Sequence, residues 1–96
     1  MINPSPVYVK PLGDYKLLLR FDNKEERIFD VKPYLEDNYF SSLKSKAIFK
    51  TVKLNQLTIE WIGNIDICPD ELYSNSVLIG KWDYLYMLHP IPLGFY

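Results

Sequence analysis

Apolar residues recur at every second position from Tyr15 to Phe21, so Tyr15, Leu17, Leu19 and Phe21 share one face of a predicted strand. Pro6-Val7-Tyr8-Val9-Lys10 predicts a short strand before it, closed by Pro11 and Gly13. Asp22-Asn23-Lys24-Glu25 is a turn cluster, because Asn tolerates the left-handed backbone that tight hairpins need. Glu26 to Val31 then runs back, with Arg27, Phe29 and Val31 alternating with Glu26, Ile28 and Asp30. The pair forms a predicted hairpin. A second is expected where Thr51-Val52-Lys53-Leu54 and Leu57-Thr58-Ile59-Glu60-Trp61-Ile62 flank Asn55-Gln56. In that reading Leu57, Ile59 and Trp61 point inward, while Thr58 and Glu60 face water.

Between the hairpins the pattern changes to helical turns. Pro33 suits a first helical position, and Phe40, Leu43 and Ala47 follow at helix-like spacing with Ser41 and Ser42 as expected caps. Gly63-Asn64 ends the strand containing Trp61. Cys68-Pro69-Asp70-Glu71-Leu72-Tyr73 then reads as a helix start, with Pro in the first turn and two carboxylates at the positive end of the helix dipole; Asn75 ends it. Leu78, Trp82, Tyr84, Tyr86 and Leu88 occupy even positions, which predicts an added strand. The sum is an α+β domain: a small, mostly antiparallel sheet built from two hairpins with short helices. Residues 1–76 form its body and 77–96 an aromatic C-terminal extension, which either completes the core or faces a partner.

Composition narrows the function classes. With 96 residues, 48% hydrophobic and 24% charged, the chain is one globular domain. Eleven Lys+Arg against twelve Asp+Glu give a net charge of −1, which disfavours a general nucleic-acid binder. A single Cys excludes an intrachain disulfide and fits a reducing compartment. Met1-Ile2-Asn3-Pro4-Ser5-Pro6 lacks the basic and apolar regions of a secretory leader. The most apolar stretch, near the C-terminus, contains Lys81 and Asp83 and runs into Pro90 and Pro92, so no membrane span is expected. A cytoplasmic location is the expectation.

Candidate chemistry is sparse. Asp66, Asp70 and Glu71 offer oxygen ligands of the kind Mg²⁺ or Ca²⁺ takes, but without an Asp-x-Asp-x-Asp-Gly loop or a neighbouring His; dipole complementarity accounts for the last two. Cys68 precedes a helix start, yet Asp70 and Glu71 oppose a thiolate, and a buried, inert thiol is expected. The one His, His89, is remote in sequence. No phosphate loop, nucleophile elbow or Cys-x-x-Cys is present, so no enzyme activity, cofactor or metal is expected. Charge order says more. Lys44, Lys46, Lys50 and Lys53 fall in a stretch without acids, and Glu60, Asp66, Asp70 and Glu71 in one without bases, which suggests a positive and a negative patch. Trp82, Tyr84, Tyr86, Phe95 and Tyr96 concentrate aromatic area of the kind found at protein contacts.

Trp61, Gly63 and the run Asp66-Ile67-Cys68-Pro69-Asp70-Glu71-Leu72-Tyr73 are similar to the signature of a bacterial family known as domain of unknown function 2442. Val7 to Leu12, Tyr15 to Phe21 and Phe29-Asp30-Val31 resemble its first three strands, and Phe40, Leu43 and Phe49 its middle apolar positions. The resemblance covers roughly residues 6–76. Asp22-Asn23-Lys24 stands where many relatives have a Gly, and the segment after Ser76 lies beyond the usual family end. The resemblance implies a small α+β domain with no assigned activity. Some relatives carry a C-terminal helix-turn-helix; others sit beside a second small protein, as toxin–antitoxin pairs do. Val77 to Tyr96, with Gly80, Pro90 and Pro92, is too short for a helix-turn-helix. The resulting expectation is a non-enzymatic interaction module for a protein partner or a second copy, antitoxin-like in one form. The alternative is a nucleic-acid-associated regulator acting through Lys44, Lys46, Lys50 and Lys53. Whether the motif around Cys68 serves folding or recognition stays open at this level.

Overall fold

The computed structural model describes residues 3–81. Strands β1 (Pro6–Pro11), β2 (Lys16–Phe21) and β3 (Glu25–Asp30) are followed by two 3-10 turns, Lys32–Tyr34 and Asn38–Lys44, and by helix α1 (Lys46–Phe49). Then come β4 (Lys53–Leu54), β5 (Ile59–Trp61), β6 (Ile65–Asp66), helix α2 (Pro69–Ser74) and β7 (Val77–Lys81). The architecture is α+β and the strand pairs are antiparallel, divided between a four-stranded sheet of order β1-β2-β3-β7 and a three-stranded sheet of order β4-β5-β6.

The alternation read from Tyr15 to Phe21 survives folding. Leu17, Leu19 and Phe21 are buried, and so are Phe29 on the neighbouring strand and Val31 just after it. Leu43, Phe49, Trp61 and Leu72 close over this face and complete a single core. Trp61 ties the smaller sheet to α1: its indole N–H donates to the Phe49 carbonyl at 3.1 Å, and the two rings lie 6.4 Å apart. Thr51 adds a second tie, its hydroxyl donating to the Ile48 carbonyl at 2.6 Å and accepting from the Ile62 N–H at 3.1 Å.

The β1–β2 turn has an unexpected conformation. Asp14 and Tyr15 both have positive φ, at 60° and 61°, in the turn that Lys16 N–H closes on the Gly13 carbonyl. Such turns match the twist of a hairpin but usually hold Asn or Gly, because a Cβ there costs about 1–2 kcal/mol per residue. Tyr15 is held by three contacts. Its carbonyl accepts from Val31 N–H at 2.9 Å, its hydroxyl donates to the Lys44 carbonyl at 2.6 Å, and its ring meets Phe49 edge-on at 5.4 Å.

Three local expectations are corrected. Ser41 and Ser42 lie inside the second 3-10 turn; the caps are Asp37, which accepts from Tyr39 N–H, and Ser45, which accepts from Ile48 N–H. The β4–β5 connection runs over four residues, Asn55 to Thr58, because the Asn55 carboxamide oxygen accepts from the N–H groups of both Leu57 and Thr58. That turn places Leu57 outside, 67% exposed, while Thr58 is buried with its hydroxyl donating to the Ile67 carbonyl at 2.8 Å. Ile59 and Trp61 do point inward.

These positions predict opposite outcomes for adjacent residues. In urea unfolding, Leu57→Ser should change stability by no more than about 0.5 kcal/mol. Thr58→Val, of similar shape, should cost about 1–2 kcal/mol by leaving the buried Ile67 carbonyl unpaired.

Candidate functional site

The family-like motif is distributed along β5, β6 and α2, and its hydrogen-bonding side chains engage other parts of the chain. Trp61 is core, and Leu72 is buried beneath the four-stranded sheet. Asp66 on β6 accepts from the Tyr39 hydroxyl at 3.2 Å, while its backbone N–H donates to the same oxygen at 3.1 Å. Pro69 opens α2, where its missing N–H is not needed. Asp70 accepts from the Asn3 side chain at 2.9 Å. Glu71 accepts from the Tyr34 hydroxyl at 2.7 Å, which in turn accepts from Asn75 at 2.9 Å. Burial, with the bond to Glu71 behind it, raises the Tyr34 phenol above its ordinary value.

Tyr73 makes the densest of these contacts. Its hydroxyl donates to Glu25 at 2.6 Å, on the same carboxylate oxygen that accepts from Arg27 at 2.8 Å. The Arg27 guanidinium lies 4.0 Å above the Tyr73 ring, and Phe21 meets that ring edge-on at 5.1 Å. A second guanidinium N–H of Arg27 donates to the Ser76 carbonyl at 3.0 Å, just before β7. The Tyr73 hydrogen bond is the main reason that the Glu25 carboxyl sits below its ordinary value; the Arg27 and Asn23 bonds add to it and partial burial opposes it. Residues from β2, β3 and α2 thus meet in one clamp, and its output is the position of β7.

The pattern of the family described as Protein of unknown function (DUF2442) matches residues 6–77, three quarters of the chain. The chain belongs to this family. Comparison with curated proteins and with solved structures finds no match. The family region therefore spans β1 through α2 and reaches the first residue of β7.

The structure does not bring Asp66, Asp70 and Glu71 together. Each faces a different partner, and among the described residues no group of three His, Cys, Asp or Glu side chains could hold a metal ion. Cys68 is exposed, which corrects the expected burial; it lies on a shallow concavity of about 430 Å³ with residues 55–58 and 66–69. The lysine stretch divides. Lys46 and Lys50 border one concavity beside the β1–β2 turn, whereas Lys53 on β4 faces Glu60 at 3.6 Å, so the positive and negative patches meet there. Lys44 is exposed at the end of its 3-10 turn.

β7 is an outer strand. It pairs with β3 through Glu25↔Lys81, Glu26↔Gly80, Arg27↔Leu78 and Ile28↔Val77, with Ile79 as the extra residue of a bulge. No strand pairs with its other edge among the described residues. Val77, Leu78 and Ile79 are 65%, 49% and 53% exposed. Period-two reading picked out Leu78 alone; the signal for all three was the unbroken apolar triplet. Trp82, Tyr84, Tyr86, Phe95, Tyr96 and His89 lie outside the described residues. No helix among the described residues is long and apolar enough to cross a membrane.

The clamp carries a pH prediction. Folding lowers the Glu25 value, so its contribution is fully present above the ordinary 4.5 and is lost as pH falls through the lowered folded value. Tyr73→Phe should cost about 1–2 kcal/mol at pH 7. The gap to the parent protein should narrow as pH falls below that range, measured by urea unfolding at a series of pH values.

Proposed function

We propose that this chain is a non-enzymatic protein-interaction module that presents β7, and the aromatic segment continuing from it, to a protein partner or a second copy of itself. One observation carries the reading: the contrast between the two edges of the four-stranded sheet. β1 also exposes Val7 and Tyr8, with Arg20 over the Tyr8 ring, but its backbone edge is blunted by Pro6 and Pro11 at its ends, by Lys10, and by a bulge at Val7. β7 has a bulge and Lys81, yet three successive apolar side chains on it are exposed. Natural sheets avoid such an edge unless something covers it, and backbone pairing with an added strand is a recurring mode of recognition. Trp82, Tyr84 and Tyr86 follow within five residues of the strand and supply aromatic area to the same contact. A two-component, antitoxin-like pairing is one form of this function, and self-association is the other.

The test uses the full chain. Light scattering should show an assembly larger than one chain, alone or with the co-purified partner. Ile79→Lys, and separately truncation after Lys81, should each shift it to the monomer while circular dichroism stays native. A full-length protein that is monomeric with no stoichiometric partner, or an assembly indifferent to both changes, would overturn the reading.

A further inference from the structure

The β1–β2 turn and α1 enclose a concavity of about 350 Å³, within the range that holds small ligands. Its apolar surface comes from Pro11, Leu12 and Tyr15 over the buried Phe49, and its cationic rim from Lys46 and Lys50. Lys50 N–H donates to the Lys46 carbonyl at 3.1 Å, so the two lysines stand one helical turn apart, on the same face. Among the described residues no carboxylate lies within ion-pairing distance of either. Asp14, the one acid on the rim, is already engaged by Lys32 at 2.6 Å and Lys16 at 3.4 Å, and those bonds, Lys32 first, hold its carboxyl below the ordinary value. The Tyr15 hydroxyl is committed to the Lys44 carbonyl, so Tyr15 offers its ring rather than a polar atom. The left-handed pair Asp14–Tyr15 sets that ring in place, and strained backbone of this kind concentrates at ligand sites.

We propose that this concavity binds a small phosphomonoester with an apolar body, the phosphate held by Lys46 and Lys50 and the body resting on Tyr15, Leu12 and Pro11. Charge balance selects the ligand class. A phosphomonoester carries about −1.5 to −2 at neutral pH, which the two lysines match. Lysine ammonium groups suit phosphate oxygens without demanding the flat fork of a carboxylate–arginine pair. The site is independent of the β7 edge.

Phenyl phosphate serves as the probe, titrated into the full-length protein and followed by amide shifts in NMR. Saturable shifts are expected at Leu12, Gly13, Tyr15 and Phe49. Lys46→Gln and Lys50→Gln should each raise the Kd by about three- to five-fold, the range of an exposed ion pair. Lys53→Gln, outside the concavity, should leave it unchanged, with undisturbed resonances elsewhere confirming that each variant is folded. Inorganic phosphate should bind more weakly at the same amides, and phenol should not saturate them. Absence of saturable shifts with phenyl phosphate, equal saturation by phenol, or equal weakening in Lys53→Gln would overturn the proposal. So would tight binding of a single-stranded oligonucleotide that phenyl phosphate fails to displace.

Discussion

The Arg27 side chain connects the parts of this molecule that the chain keeps far apart. Its guanidinium pairs with Glu25, stacks on Tyr73 and donates to the Ser76 carbonyl. An arginine on the core-facing side of a strand would ordinarily be costly, since an unpaired buried charge destabilises. Here the side chain is mostly buried, only 15% exposed, but it is bonded and laid on an aromatic face, and Arg suits such a site because its planar group stacks and donates at once. Through these contacts α2 is fixed against the four-stranded sheet, and the chain leaving α2 is delivered to β3 in register.

In the proposed function this arrangement separates folding from recognition. The motif Asp66-Ile67-Cys68-Pro69-Asp70-Glu71-Leu72-Tyr73 is tied into the fold: Leu72 is core, and Asp66, Asp70, Glu71 and Tyr73 each bond a residue distant in sequence. Cys68 is the exposed exception. The surface that the proposed function uses is β7, whose position depends on that folding and which carries no charged side chain before Lys81. Recognition through an edge strand needs little more than an exposed, correctly held backbone, because the main chain supplies the hydrogen bonds. The family pattern accordingly covers the clamp and stops as the edge begins.

Much of the architecture was legible in the sequence where one physical term dominated. From Leu17 to Phe21 the alternation faces a core on one side, and burial enforces the period. Pro69 with Asp70 and Glu71 announced α2 because the first-turn chemistry is local. Reading failed where a side chain replaced a backbone partner. Asn55 lengthened a turn by accepting two N–H groups, which moved Leu57 out and Thr58 in. Asp37 and Ser45 took the capping roles because the 3-10 turn begins and ends at them, and spacing alone does not show where such a turn starts. The tyrosine–carboxylate pairs were invisible for a different reason: Tyr34–Glu71 and Tyr73–Glu25 are separated by 37 and 48 residues, and no local pattern records them. The division of the lysines was hidden likewise, since only the β4–β5 pairing puts Lys53 against Glu60.

If Arg27 holds the edge strand in place, removing its charged fork while keeping its apolar stem should loosen β7 selectively. Native-state amide hydrogen exchange on full-length Arg27→Met measures this directly. The expected result is lost protection in β7 and α2 together, with the amides shared by β1 and β2 still protected at the parent level. Protection of β7 that survives the substitution, or a uniform loss across all strands, would contradict the account.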